Sequence, residues 1–137
     1  MASNLPPGYP RVIPYLYYQD AGAMMEWLRA AFGLEERHAQ RDADGRVFHA
    51  EMGLGGDGVV MVGAPGGGYK NPRELGAATQ SIYVYVDGLD EHCARARAAG
   101  AEIVDEPADQ PYGDRRYCAK DAEGHVWYFA SRTAKGA

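Results

Sequence analysis

The sequence predicts an α+β fold built from two βαβββ modules. Three observations carry that expectation. Strand-like and helix-like segments follow one another in the same order twice along the 137 residues. The two halves share short matching runs at a nearly constant spacing. A Gly- and Pro-rich stretch separates them.

Residues 1–10 read as a lead-in. "RVIPYLYYQD" (11–20) is rich in β-branched and aromatic residues and reads as a strand, with Pro14 marking an edge or an end. "AGAMMEWLRAAFG" (21–33) reads as a helix, because Met24, Trp27, Leu28 and Ala31 fall at helical spacing and Gly33 supplies a stop. "LEERHAQR" and "RVFHAEM" are joined by "DADG", a hairpin signal, and "GVVMVG" (58–63) follows as a further strand. Residues 64–79, "APGGGYKNPRELGAAT", read as a linker or mobile loop.

The pattern then restarts. "SIYVYVDG" (81–88) is a strand, and "LDEHCARARAAG" (89–100) a helix with Leu89, Cys93, Ala96 and Gly100 along one stripe. "AEIVDEP" is a short strand, and "DRRYCAKD" and "HVWYFAS" form a hairpin around "DAEG". "YLYY" at 15–18 matches "YVYV" at 83–86, and "RAAFG" at 29–33 matches "RAAG" at 97–100. The spacing from Tyr15 to Tyr83 is nearly that from Gly33 to Gly100, as a duplicated unit requires. The expected layout is therefore a lead-in (1–10), a first module (11–63), a linker (64–79), a second module (80–131) and a tail (132–137), in one structural domain overall.

Composition narrows the function. The net charge of −5 argues against nucleic acid or an anionic membrane surface as partner. No apolar run reaches the roughly 20 residues that span a bilayer, and "MASNLPPGYP" lacks the features of a signal peptide. Cys93 and Cys118 form no CxxC pattern, which suggests neither a disulfide framework nor a cysteine zinc site. A cytoplasmic protein with free thiols is expected.

Several stretches together carry a family resemblance: "VIPYLYYQDA" (12–21), "RAAFGLEE" (29–36), "DGRVFHAEM" (44–52), "VYVDGLD" (84–90), "RAAGAEIV" (97–104), "YGDR" (112–115) and "DAEGHVW" (121–127). In these the chain resembles the vicinal oxygen chelate superfamily (glyoxalase I, extradiol dioxygenases, bleomycin-resistance proteins), and within it the PhnB-like group. The resemblance implies two βαβββ modules curled into a half-open β-barrel around a cavity. In metal-using members it implies four His, Gln or Glu ligands from the first and last strands of each module. Here the corresponding positions hold Ile13, Met61, Ser81 and Tyr128. Isoleucine and methionine do not serve a hard divalent cation, serine alone is a poor ligand, and a tyrosine with an ordinary pKa near ~10 stays neutral. A slip of one residue brings in only one customary ligand, Gln80, and would turn core residues outward. No cofactor is expected.

Strand alternation defines what replaces the ligands. Trp127 and Phe129 point to the core, and Val126, Tyr128 and Ala130 point the other way. Ile82, Val84 and Val86 should pack on helices. The opposite side would carry Tyr15, Tyr17, Tyr83, Tyr85 and Tyr128, half of the chain's ten tyrosines, with Ile13, Val59 and Met61. Such a wall offers flat faces and hydroxyls to a flat, partly polar ligand. The alternative is that these tyrosines pack on one another or on a second subunit.

His49 and Glu51 share a face and suit metal or acid/base work, with Asp114 a conceivable third ligand; they read first as a packed histidine beside a solvated glutamate. His125 reads as a turn residue, and His38 and His92 as surface. In "YGDRRY" (112–117), Arg115 or Arg116 could hold a carboxylate or phosphate, unless Asp114 and Arg115 simply pair to fix the loop. Cys118 reads as a small core residue. "GGG" at 66–68 lacks the features of a phosphate loop.

The leading expectation is a metal-independent small-molecule binding protein, a homodimer, holding an aromatic ligand with Tyr15, Tyr17, Met61, Tyr83, Tyr85 and Tyr128. Arg115, Arg116 or Gln80 would be its polar tether, and drug sequestration its role. The alternative is an enzyme, of lyase, isomerase or dioxygenase type, with an atypical metal site at His49 and Glu51 or metal-free acid/base chemistry. A third reading is a ligand-free structural or regulatory subunit whose interface buries the tyrosines.

Overall fold

The computed structural model describes residues 4–133. The first three residues of the expected lead-in, and residues 134–137 of the expected tail, lie outside the described residues. Contacts divide the chain into two compact units. One runs through Arg29 and then Gly33–Tyr69; the other takes Ala30–Phe32 and the chain from Lys70 onward. The division at 69/70 falls inside the segment read as a linker.

The first unit contains β1 (Tyr15–Tyr17), most of α1 (Ala21–Phe32), β2 (Glu35–Arg41), β3 (Val47–Leu54) and β4 (Gly58–Gly63). Its sheet has the order β1-β4-β3-β2, with β1 parallel to β4 and the other pairs antiparallel. The second unit contains α2 (Pro72–Leu75), β5 (Ser81–Tyr85), α3 (Leu89–Ala98), β6 (Glu102–Asp109), β7 (Asp114–Lys120) and β8 (Val126–Arg132). Its sheet repeats the topology as β5-β8-β7-β6, again with one parallel pair, β5 with β8. The duplicated order read from the sequence is thus a duplicated strand topology. Neither sheet closes on itself. Among the described residues no helix is long and apolar enough to cross a membrane.

Local chemistry explains the boundaries. β1 is shorter than the predicted strand because Pro14 has no N–H for the ladder, although its carbonyl still accepts from Met61 N–H at 2.9 Å. Asp20 caps α1 by accepting from Ala23 N–H at 3.0 Å, and Gly33 ends it in the left-handed region at φ 78°. In the first unit Leu16, Ala50, Met52, Val60 and Val62 are buried on one sheet face. In the second, Tyr117, Ala119, Trp127 and Phe129 are buried with Leu89, Cys93 and Ala96 of α3. Phe32, at the end of α1, packs on Phe129 and Trp127 at ring distances of 4.7 and 5.2 Å. Burying each such side chain contributes about 1.5–3 kcal/mol.

One expectation is corrected here, and the 64–79 segment gains local structure. Asn71, Pro72 and Glu74 form a capping box with proline at the helix start, so α2 is a built turn of helix. His92 is not a surface residue. One ring nitrogen lies 2.6 Å from Tyr117 Oη and the other 3.0 Å from the Phe32 carbonyl, and burial pushes its pKa down. It sits three residues beyond Leu89, on the buried stripe of α3, a place that helical spacing allowed but that its polar type disguised.

Candidate functional site

In the second unit, the sheet face opposite Trp127 and Phe129 is aromatic and charged. Register sets Tyr83 beside Tyr128, Tyr128 beside Cys118, Tyr85 and Arg116 on either side of Ala130, and Asp114 beside Arg132. Alternation then brings these side chains onto one surface. The Tyr83 and Tyr128 rings stack at 6.0 Å with an interplanar angle of 21°. The Arg116 guanidinium lies 4.8 Å from the centre of the Tyr128 ring, on its face. Tyr83 and Tyr85 meet edge to face at 5.7 Å. The result is a stripe, Tyr85–Tyr83–Tyr128–Arg116, crossing β5, β8 and β7.

Asp114 holds that stripe. Its carboxylate accepts from Tyr83 Oη at 2.6 Å, from Tyr85 Oη at 2.9 Å and from Arg132 Nη1 at 3.1 Å. Its side chain is only 2% exposed. The tyrosine hydroxyls and Arg132 hold the Asp114 carboxyl below the usual carboxylate range. The same contacts act oppositely on the phenols: burial and the Asp114 charge push Tyr83 up, and the bond to Asp114 pushes Tyr85 up. Both phenols therefore stay neutral donors. The hydroxyls are tied down while the residues stay 42% and 58% exposed.

Of the expected tethers, the structure separates the two arginines. Arg115 points to the helix side, where it pairs with Asp90 at 3.1 Å and Asp109 at 3.2 Å. It is not brought to the tyrosine face, and the expected Asp114–Arg115 pair does not form, because adjacent strand residues point to opposite faces. Gln80 is exposed beside Ser81.

The first unit carries a related face. Tyr15, Met61 and Glu51 are neighbours across three strands, as are Tyr17, Gly63 and His49. Tyr15 Oη lies 2.6 Å from His49 Nδ1, and His49 Nε2 lies 3.7 Å from Glu51 Oε2. Tyr9 donates to the other Glu51 oxygen, and the Arg37 guanidinium sits 4.6 Å from the Tyr9 ring centre. Glu51 is therefore not merely solvated. Tyr17 meets Tyr69 edge-on at 6.1 Å, and Tyr69 Oη donates to the Tyr17 carbonyl at 2.8 Å. A Cβ on Gly63 would lie 2.7 Å from the Tyr15 ring, so the glycine makes room for that tyrosine.

Sequence reasoning missed Asp114 as the centre of the second face, and Arg132, Tyr112 and Tyr9 entirely. Asp114 was legible: two-residue alternation from Cys118 places Arg116 and Asp114 on the Tyr128 face. Tyr112 and Tyr9 come from irregular segments, where periodicity gives no signal.

The donor set does not fit a divalent metal at the four family positions, Ile13, Met61, Ser81 and Tyr128. Among the described residues no group of three or more His, Cys, Asp or Glu side chains is placed to hold a metal ion. Cys93 and Cys118 are both buried free thiols, and burial pushes each pKa up.

Comparison with known proteins agrees with this fold. The family described as "Glyoxalase/Bleomycin resistance protein/Dioxygenase superfamily" matches residues 11–129. The uncharacterized protein Rv0887c of Mycobacterium tuberculosis (strain ATCC 25618 / H37Rv) is 31% identical over 122 residues, covering 86% of this chain and 72% of that protein. The crystal structure of TioX from Micromonospora sp. ML1 is similar with a TM-score of 0.73 and 35% identity, over 90% of this chain and 98% of that one. TnmS3, an antibiotic binding protein from Streptomyces sp. CB03234, shares the fold with a TM-score of 0.67 at 18% identity, over 88% of this chain and 93% of that one. With its duplicated sheets and a family match over nearly its whole length, the chain belongs to the glyoxalase/bleomycin resistance protein/dioxygenase superfamily.

Proposed function

We propose that this protein binds a flat, partly polar organic molecule against its tyrosine-bearing sheet faces, without a metal ion. The observation that carries this reading is the Tyr85–Tyr83–Tyr128–Arg116 stripe. The hydroxyls of Tyr83 and Tyr85 are fixed by a buried carboxylate while their rings are left accessible. Fixing a ring before binding removes much of the ordering cost that a ligand would otherwise meet. A stacking surface of this kind accepts aromatic molecules of varied outline. Tyr15, Tyr17 and Met61 of the first unit offer a second surface of the same character. TnmS3, an antibiotic binding protein with the same fold, makes drug sequestration a natural role to test.

The test has two parts. Dialysed, untagged protein is assayed for metal by elemental mass spectrometry, and thermal shift is screened with planar aromatics against saturated analogues of equal size. The reading expects no stoichiometric metal and stabilisation by the aromatics alone. One tightly held metal per chain would overturn it. We include a homodimer in the proposal, with the tyrosine faces left open to the ligand; sedimentation equilibrium tests the dimer, and its dissociation on Tyr83→Ala would instead put a second copy of the chain on those faces.

A second reading, metal-free acid/base catalysis, is favoured by the Tyr15–His49 hydrogen bond with the Glu51 carboxylate 3.7 Å beyond the imidazole. Under it, His49→Gln abolishes turnover of a lyase or isomerase substrate while leaving binding at Tyr128 unchanged.

A further inference from the structure

Resting on the ligand-binding reading, we propose that the bound molecule carries a carboxylate, and that Arg116 is the group that receives it. Three observations on this side chain converge. Arg116 Nη1 donates at 3.2 Å to Tyr112 Oη, a neutral partner. Its Nε is buried and has no hydrogen-bond partner among the described residues. No described carboxylate lies within ion-pair distance of its guanidinium, although the other arginines on the β7 and β8 strands, Arg115 and Arg132, are both paired.

The surroundings explain why the charge stays unmatched. Asp114, two residues away on the same face, has both oxygens engaged by Tyr83, Tyr85 and Arg132. Asp105 faces Cys118 across the β6–β7 pair but forms no ion pair with Arg116. The guanidinium is left lying over Tyr128, an attraction weaker than a charged hydrogen bond. A buried N–H without an acceptor is costly, and a guanidinium edge matches the two oxygens of a carboxylate. A carboxylate arriving at the end of the stripe would draw the guanidinium from the ring and pair the idle Nε–H. It would leave its own aromatic plane against Tyr128 and Tyr83. Such a ligand is an aromatic acid, flat along the tyrosines and anionic at the β7 end.

Matched probes test this. 2-Naphthoate and 2-naphthamide have the same ring and nearly the same shape, but only the first is charged. Calorimetry on the full chain should show 2-naphthoate binding roughly tenfold to a hundredfold more tightly, the range expected of a charged hydrogen-bonded contact. Arg116→Gln should reduce that preference to about twofold or less, while Arg115→Gln should leave it intact. Equal affinities in the wild type, or a preference that survives Arg116→Gln, would overturn the assignment while leaving the aromatic surface standing. Failure of both probes to bind would count against the ligand-binding reading itself, and with it this inference. Melting curves of each variant keep a folding defect from passing as lost binding.

Discussion

Asn71 is the residue on which the short helix α2 depends, and replacing it gives a graded prediction. Its side chain is 5% exposed and does two things. Oδ1 accepts from Glu74 N–H at 2.9 Å to cap α2, and Nδ2 donates to Glu123 Oε1 at 2.9 Å. Glu123 is itself buried, at 9% exposure. Losing the cap costs about 1 kcal/mol. Taking a hydrogen-bond donor from a buried carboxylate costs about 1.5–3 kcal/mol. Asn71→Ala should therefore destabilise by roughly 2–4 kcal/mol, discounted toward the lower end because α2 is a single turn that can detach locally. Asn71→Ser keeps a capping oxygen and loses the amide donor, so it should fall between wild type and alanine. Asn71→Asp also caps, but sets a second carboxylate against Glu123, and should be worse than serine at pH 7 and recover on acidification. At about 4 °C per kcal/mol for a chain of this size, alanine should lower Tm by roughly 8 °C or more. Differential scanning calorimetry of the four proteins reads the series. An alanine variant melting within a degree of wild type, or an aspartate variant better than serine at pH 7, would refute the account of this segment.

Other predictions concern the same unit. Asp114 has a lowered pKa, so its contribution is present above the ordinary carboxylate value near ~4 and is lost as pH falls through the lower, folded value. Wild-type Tm should drop across that acid range, and Asp114→Asn should start lower at pH 7 and lose much of that slope; parallel acid profiles would refute the role given to its charge. Gly124 sits at φ 96°, and a Cβ there would lie 2.7 Å from the backbone nitrogen of Arg73. Gly124→Ala should thus cost about 2 kcal/mol or more by urea denaturation, since neither strain nor backbone collision is easily relieved. A neutral substitution would show that the turn and α2 part freely.

Much of this was legible because periodicity is strong where one sheet face is buried. Tyr83 and Tyr85 alternate with Ile82 and Val84, and Tyr128 with Trp127 and Phe129, so the tyrosine face followed from spacing alone. The same spacing, carried along β7, would have separated Arg115 from Arg116. "DRRYCAKD" reads as a strand, but the alternation was not carried back to its first three residues. His92 was hard to place because it is a polar, half-buried side chain held by specific partners 25 to 60 residues away in sequence. Asn71 to Glu74 did carry a capping signature, but the glycines around it made the stretch look like a linker.

The most direct test of the binding claim is a calorimetric titration of wild type and Tyr128→Ala with the aromatic compound that gives the largest thermal shift in the screen. Tyr128 stacks on Tyr83 and lies under Arg116, so its loss removes the middle of the stripe while leaving the Asp114 contacts in place. The account predicts a folded variant whose affinity falls about tenfold or more, a larger loss than its fall in stability. Unchanged affinity in a folded variant, or fold and binding lost in equal measure, would mean that Tyr128 is there to pack the sheet and not to hold a ligand.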